Sequence, residues 1–182
     1  QGFSLAGWRD PNDKRNQLFK DFVVIVNNIR PEFFVLENVP GILTMRKGEA
    51  IKEIIQCFEE IGYHVNIPIK LRAEEFGVPQ KRRRVFIIGS LKKIMLEAPT
   101  PLFNENNKEL PLPITVKEAI GSLPSLSANS GVFEMDIEYN PKSNYDKLMA
   151  GKIDFKTFYT SQKNSCMAAN NYANIILILN IN

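Results

Sequence analysis

The spacing of apolar residues predicts two helices in the first half of the chain. Between Leu18 and Ile29, apolar side chains recur at intervals of three and four residues, which predicts a helix that ends before Pro31. The same spacing over residues 48–61 predicts a second helix, with Gly62 in the position that commonly terminates one.

The strand signals follow a different pattern. Residues 33–36 form an apolar run without alternation, which is typical of a parallel strand covered on both faces. Residues 65–71 alternate between apolar and polar positions, and residues 85–89 form another apolar run. Strand, helix and strand over this distance are the size of a βαβ unit. Because the connection over 71–84 is too short for another crossover helix, we expect the last strand to be antiparallel to its predecessor. The predicted fold class is α/β.

The second half of the chain differs from the first in amino-acid composition. Residues 98–125 are rich in Pro and Asn, which predicts a linker with one short helix near 116–120. Residues 170–182 contain five Asn, six Ile or Leu and no charge, and are interpreted as a low-complexity, aggregation-prone tail. The core domain is therefore expected to end near residue 97.

Composition and charge narrow the classes of function. The 182 residues are 44% hydrophobic and 24% charged, which indicates a folded globular protein and argues against disorder or a coiled coil. The net charge is only +3, but residues 70–93 carry eight basic and two acidic side chains, so this segment is +6 and the remainder is −3. This concentration of positive charge is consistent with a nucleic-acid partner.

Several other classes are disfavoured. No apolar run approaches the roughly 20 residues that span a bilayer, and no secretory signal is recognisable, so we expect a cytoplasmic protein without a membrane partner, nucleoid-associated if bacterial. Cys57 and Cys166 are far apart, with only His64 between them, which provides too few ligands for a disulfide framework or a metal site.

Three short motifs occur in an order that resembles one family. Residues 1–4 read Gln-Gly-Phe-Ser, residues 37–39 read Glu-Asn-Val, and residues 80–84 read Gln-Lys-Arg-Arg-Arg. In this order, with the Arg15, Leu18 and Phe19 pattern between the first two, they resemble the bacterial-type DNA (cytosine-5) methyltransferases, with their Pro-Cys-Gln loop, Glu-Asn-Val strand end and Gln-x-Arg-x-Arg stretch. The resemblance covers roughly residues 1–125.

The resemblance implies a fold and a division of the chain. The fold would be part of a Rossmann-like sheet of an S-adenosylmethionine-dependent methyltransferase. Residues 1–97 would be the carboxyl-terminal part of the catalytic domain, 98–125 a linker and 126–169 the start of a target-recognition region.

The resemblance also implies a reaction and a base pocket. Cytosine carbon 5 is a poor nucleophile, so the family adds a cysteine thiolate to carbon 6 and transfers the methyl group of S-adenosylmethionine to the activated carbon 5. The base is flipped out of the duplex to reach these groups. Glu37 would contact ring nitrogen 3 and the amino group, Arg84 would contact the ring carbonyl oxygen, and Arg82 would support the same site.

Further roles carry over residue by residue. Gln1, Ser4, Arg15 and Gln80 are the expected DNA-binding residues. Leu18 and Asn38 are expected near S-adenosylmethionine, although Asn38 can also serve simply by shaping the turn that presents Glu37. The expected partners are double-stranded DNA and a cognate restriction endonuclease of the same system.

The chain also departs from the family pattern. The family's nucleophilic cysteine would precede Gln1, and the Gly-rich cofactor loop is not present, so the chain is interpreted as an internal fragment that is inactive alone. Cys57, on the apolar side of a helix, and Cys166, in an unstructured-looking tail, cannot replace the nucleophile.

Alternatives to this interpretation stay open. The chain can be a noncatalytic DNA-binding remnant, a fragment of an RNA cytosine methyltransferase, or a truncation without a stable native function. Arg83, between the two matched arginines, is interpreted as an ordinary solvated cation.

Overall fold

The computed structural model describes residues 18–94, 96–125 and 140–166. The chain divides into two compact units. The first consists of Gln1–Arg72 with Arg82–Thr100, and the second of Ala73–Lys81 with Pro101–Asn182. Within the described ranges, no helix is long and apolar enough to cross a membrane.

Two helices pack against the sheet of the first unit. Helix α1 spans Leu18–Ile29 and helix α2 spans Glu49–Glu60, as the apolar spacing predicts. Helix α1 ends because Arg30 adopts a left-handed conformation (φ 51°). After α2, Gly62 (φ 87°) turns the chain, a conformation that favours glycine because it has no Cβ.

Four strands form the sheet. They are β1 (Phe33–Asn38), β2 (His64–Val65), β3 (Ile69–Arg72) and β4 (Arg83–Ser90). The central strand, β4, pairs antiparallel with β1 along one edge and with β2 and β3 along the other. The predicted antiparallel relation between the last two strands is confirmed. Strands β1 and β2 run in the same direction, joined by α2, but β4 lies between them.

The alternating segment 65–71 is two strands rather than one. Pro68 has no N–H and cannot donate to the ladder, so pairing is interrupted between β2 and β3. Asn66 lies in the break, where its backbone N–H donates to the carbonyl of Ile88 (2.9 Å) and its Oδ1 accepts from the N–H of Leu96 (3.0 Å). These bonds satisfy a buried polar side chain at the interruption.

Strand β1 differs from prediction in its burial. On its inner face Phe34 is 4% exposed, but on its outer face Phe33 and Val35 are 43% and 55% exposed. Its hydrogen-bonded neighbour is antiparallel rather than parallel. The expectation of a parallel strand covered on both faces is therefore wrong within the described residues. An apolar run indicates which side chains can be buried. It does not indicate whether the described residues include an element that packs against the outer face of the strand.

The core of the first unit lies between the inner sheet face and the two helices. Phe34 stacks on Phe58 of α2 with 4.0 Å between ring centroids. Tyr63, which is 2% exposed, packs edge-on against Phe34 and donates its hydroxyl to the carbonyl of Pro31 (2.6 Å). This bond joins the segment after α2 to the segment after α1.

The second unit is built from short elements. Helix α3 spans Val116–Ile120, as predicted, helix α4 spans Asn144–Met149, and residues 155–166 are helical. Its core is an apolar cluster that draws on the segment predicted to be a linker. The buried members are Phe103, Ile114, Tyr145 and Phe158.

Cys166 is not in an unstructured tail. It lies at the end of the helical range 155–166, and its thiol is 3.3 Å from the carbonyl oxygen of Leu110. The tail predicted over 170–182 is outside the described residues.

Candidate active site

The strand register brings Glu37 and Arg84 together although 47 positions separate them in sequence. Glu37 is paired with Phe86 across the β1–β4 ladder, and Arg84 lies two residues before Phe86 on the same, outer face. They are therefore diagonal neighbours, the arrangement in which long side chains meet across a sheet. Arg84 Nε lies 2.5 Å from Glu37 Oε1. The base-pocket residues expected from the sequence thus meet in the structure.

A second guanidinium converges on the same carboxylate oxygen. Arg82 lies immediately before β4, and its Nη2 is 3.8 Å from Glu37 Oε1. The side chains of Glu37 and Arg82 are 46% and 47% exposed, whereas that of Arg84 is 23% exposed. Arg84 Nη1 also donates to the carbonyl of Arg83 (2.8 Å), which fixes the plane of its guanidinium. Arg84 is thus held by the protein, whereas about half of the Glu37 and Arg82 side chains is accessible to a ligand.

Part of the hydrogen-bonding capacity of this cluster is free. The shortest contact of each arginine with Glu37 is to Oε1, and within the described residues Oε2 accepts no hydrogen bond. Arg84 Nη2 likewise donates no hydrogen bond in this part of the chain. An acceptor oxygen therefore lies beside a charged N–H donor. A planar ligand that presents a donor next to an acceptor fits this pair, and cytosine presents its amino group, N3 and ring carbonyl in that way.

The turn after β1 holds Glu37 at the end of its strand. Asn38 Oδ1 accepts the backbone N–H of Val39 (2.8 Å). Pro40 then starts a 3-10 turn, Pro40–Leu43, whose Gly41 and Ile42 are buried. The side chain of Asn38 thus makes the turn-shaping contact that the sequence allows as its alternative role.

The described residues do not form a complete S-adenosylmethionine site. Leu18, at the start of α1, is 60% exposed and offers only apolar surface. The amide oxygen of Asn38 is committed to Val39. These two residues alone provide no set of donors for the amino-acid and ribose groups of the cofactor.

The structure describes one of the four predicted DNA-binding residues. Gln1, Ser4 and Arg15 are outside the described residues. Gln80 belongs to the second unit, where it is exposed and lines a cavity of about 220 Å³. Lys81, its neighbour, lies 3.7 Å from Glu105 of the same unit.

Neither cysteine has the character of a nucleophile. Cys57 packs against the core of the first unit, and desolvation by burial raises the pKa of its thiol, which lowers the thiolate fraction. Cys166 is held by backbone carbonyls of the second unit. Among the residues that the structure describes, no group of three or more His, Cys, Asp and Glu side chains could hold a metal ion.

Two features were not anticipated from the sequence. Arg46 and Lys47, after β1, have positive φ angles (48° and 56°), and Arg46 Nη2 lies 2.5 Å from Glu53 Oε2. This hydrogen bond is the main reason that the pKa of Glu53 is lowered. The second unit contains a cavity of about 570 Å³ lined in part by Leu110, Pro111 and Cys166. The Pro-rich and Asn-rich composition of residues 98–125 predicts a linker and gives no sign of a cavity.

Comparison with known proteins places these observations in a family. Residues 1–176 match the model of the C-5 cytosine-specific DNA methylases. The chain is 40% identical over 157 residues to the Type II methyltransferase M.DdeI of Desulfomicrobium norvegicum, covering 82% of this chain and 36% of the relative. It is 35% identical over 161 residues to the Type II methyltransferase M.XorII of Xanthomonas oryzae pv. oryzae, covering 86% and 36%.

A solved structure agrees with the family match. The crystal structure of an E. coli protein proposed to be a DNA modification methyltransferase encoded within a prophage aligns with a TM-score of 0.54 and 29% identity, over 75% of this chain and 39% of that chain.

The chain belongs to the C-5 cytosine-specific DNA methylase family, which uses S-adenosylmethionine as methyl donor. Its sheet and helices are part of the α/β fold of S-adenosylmethionine-dependent DNA methyltransferases, so the predicted fold class is confirmed. The chain spans 36% of the length of the two curated relatives named above.

Proposed function

We propose that this chain is a fragment of a DNA (cytosine-5-)methyltransferase that transfers a methyl group from S-adenosylmethionine to cytosine carbon 5 in duplex DNA. The observation that carries the proposal is the contact of Arg84 with Glu37, in which Oε2 of the carboxylate and Nη2 of the guanidinium make no hydrogen bond within the described residues. The family match supports the reaction, and this contact supports the location of the base.

In the proposed mechanism, Glu37 and Arg84 bind the two sides of one cytosine ring. Oε2 of Glu37 accepts a hydrogen bond from the amino group, and a free N–H of Arg84 donates to the ring carbonyl oxygen. The carbonyl gains negative charge when a thiolate adds to carbon 6, so the Arg84 contact strengthens as the reaction proceeds. Arg82 contacts the same oxygen of Glu37 as Arg84 and helps to hold the carboxylate in place.

The proposal includes flipping of the base out of the duplex. The amino group and N3 of a paired cytosine are occupied by guanine, so Glu37 can reach them only after the base has left the duplex. Unpairing and unstacking cost a few kcal/mol, and the hydrogen bonds to Glu37 and Arg84 offset part of that cost.

The nucleophile belongs to a cysteine other than Cys57 and Cys166. The raised pKa of Cys57 and the backbone contacts of Cys166 support this assignment. We expect the 182-residue chain alone to be inactive, because its described residues form neither a thiolate site nor a complete site for the methyl donor. The proposed nucleophile precedes Gln1.

The biological setting is a second part of the proposal. The relatives named above are Type II methyltransferases. We propose that the complete protein protects DNA from a cognate restriction endonuclease and acts on the nucleoid in the cytoplasm.

Nucleoside analysis tests the proposed reaction. The protein expressed from its natural start codon is produced in a host that lacks cytosine methylation, and the DNA and RNA of the host are digested and analysed by mass spectrometry. We expect 5-methyl-2′-deoxycytidine in the digested DNA. Bisulfite sequencing should then locate the methylated cytosine in one short recognition sequence. Methylation in RNA alone would identify an RNA methyltransferase, and binding to DNA without methylation would identify a noncatalytic remnant.

A further inference from the structure

The cations at the start of β4 and on its neighbour β3 fall into two groups. Three have partners: Arg82 and Arg84 contact Glu37, and Arg72 makes contacts of its own. Lys70 and Arg83 have exposed side chains that make no hydrogen bond or ion pair within the described ranges. The cations of the first group are therefore engaged by other protein groups, whereas those of the second group are not.

The strand register places the two open cations on the same side of the sheet. Arg83 is opposite Arg72, and Lys70 is opposite Val85, so Lys70 and Arg83 are diagonal neighbours on the inner side. Val85 is fully buried in the inner core, whereas Arg84, between Arg83 and Val85, faces the outer side with Glu37. The free cations and the base-contacting pair thus lie at the same end of β4 but on opposite sides of it.

This arrangement has an electrostatic cost in the free protein. Like charges directly opposite each other in an antiparallel pair are destabilising, and Arg72 and Arg83 are such a pair. Cations that are exposed, adjacent and without acidic partners are the usual contacts for the phosphates of a nucleic acid, which fix the position of a protein on the duplex.

We propose that Lys70 and Arg83 bind backbone phosphates of the DNA duplex and hold it in place while Glu37 and Arg84 contact the flipped base. The inference rests on the proposed function. It assigns a role to Arg83, which the sequence suggests is an ordinary solvated cation, and to Lys70, which lies outside the sequence motifs. Because neither residue contacts a base, the contribution of the two residues to DNA affinity is independent of the DNA sequence.

The salt dependence of DNA binding tests this assignment. Binding of the full-length protein to a fluorescent duplex is measured by anisotropy over a range of salt concentrations for the wild type, Lys70→Gln, Arg83→Gln and the double variant. Lys93→Gln is the matched control, because Lys93 is exposed and follows the opposite end of β4. Each single variant loses one positive charge. A difference in slope between Lys93→Gln and the other two single variants therefore depends on the position of the charge and not on the net charge.

Each phosphate contact contributes about 0.9 to the slope of log affinity against log salt. We expect the slope to fall by about that amount in each single variant and by about twice that amount in the double variant. When one contact is lost, a fourfold rise in salt lowers the affinity of the variant by a factor that is about 3.5 times smaller than the factor for the wild type. The loss should be the same for duplexes of unrelated sequence, and Lys93→Gln should keep the wild-type slope.

Thermal unfolding without DNA separates a phosphate contact from a structural role. Removing one of two opposed like charges should leave the Tm of Arg83→Gln equal to or above that of the wild type. A lower Tm together with weaker binding would overturn the assignment. An unchanged slope in both single variants would also overturn the assignment. The proposed function would still stand in that case if 5-methylcytosine is formed. Absence of any DNA binding by the wild type would overturn both.

Discussion

Phe34 lies across the backbone of Gly89, its direct partner in the β1–β4 ladder. A Cβ added to Gly89 would lie only 2.5 Å from Cζ of Phe34, in a ring that is itself stacked on Phe58. Because the ring is held on both sides, it cannot move away without disturbing the core. The glycine is thus required by the close approach of an aromatic ring rather than by its own φ angle.

Substitution of Gly89 by alanine should therefore destabilise the first unit. Overpacking of a well-packed core costs about 1–3 kcal/mol, and we expect a loss in this range in the free energy of unfolding measured with urea. The second substitution Phe34→Leu should restore part of the loss in a double-mutant cycle, because it removes the atoms that clash. Strict additivity of the two substitutions would contradict this explanation.

The hydroxyl of Tyr63 should contribute measurably to stability. Tyr63→Phe removes the donor to Pro31 O (2.6 Å) and leaves a carbonyl without its partner in a half-buried position, which should cost about 1 kcal/mol in the free energy of unfolding. Tyr159→Phe is the control, since the hydroxyl of Tyr159 makes no hydrogen bond within the described ranges. Equal effects of the two substitutions would show that the contact with Pro31 is not responsible.

The stability of the second unit should depend on pH through Asp146. Hydrogen bonds from the backbone N–H of Ser143 and the hydroxyl of Ser122 lower the pKa of Asp146 from 3.8 to about 2. A carboxyl group with a lowered pKa stabilises the fold above its ordinary pKa, and this contribution is lost as pH falls from about 4 to about 2. Circular dichroism over this pH range should record that loss in the wild type.

Asp146→Asn provides the test of this pH dependence. The variant should melt at a lower temperature at neutral pH and should show a weaker pH dependence between about 4 and 2, because its side chain does not titrate. Asp21→Asn, at an exposed position of α1, should leave both properties close to the wild type. A variant with the full wild-type pH dependence would exclude Asp146 as its source.

The two cysteines should be dispensable for methyl transfer. Burial raises the pKa of Cys57, so alkylation of this thiol by iodoacetamide at pH 8 should be slower than that of a model peptide. In the full-length protein, Cys57→Ala and Cys166→Ala should retain the wild-type rate of methyl transfer per folded molecule. Loss of that rate in either folded variant would mean that the nucleophile has been assigned wrongly.

The elements set by local pattern could be predicted from the sequence, whereas features set by distant partners could not. The spacing of apolar residues fixed α1 and α2 because each helix buries one side against the sheet. The break at Pro68 was missed because the alternating pattern continues through it. The exposed outer side of Val35 was missed because an apolar run does not reveal which faces are covered.

The candidate site depended on a different kind of information. No local pattern links Glu37 to Arg84, and the resemblance to a family suggested that they act together. Their contact follows from the pairing of Glu37 with Phe86, which is a property of the β1–β4 register. The lack of a hydrogen bond to Oε2 of Glu37 and the lack of partners for Lys70 and Arg83 depend on which groups each side chain meets in the fold, and the sequence alone does not contain that information.

The most direct test of the base pocket compares two glutamates at opposite ends of the same pair of strands. Glu37 contacts Arg84 at the end of β1, and Glu32, just before β1, contacts Lys92 (2.6 Å). The measurement is the single-turnover rate of methyl transfer to unmethylated DNA by full-length Glu37→Gln and Glu32→Gln. Loss of a positioned electrostatic contact in a transition state typically lowers the rate about a hundredfold or more. We expect a loss of that size for Glu37→Gln and none for Glu32→Gln, whereas equal rates in the two variants would contradict a role for Glu37 in holding the base.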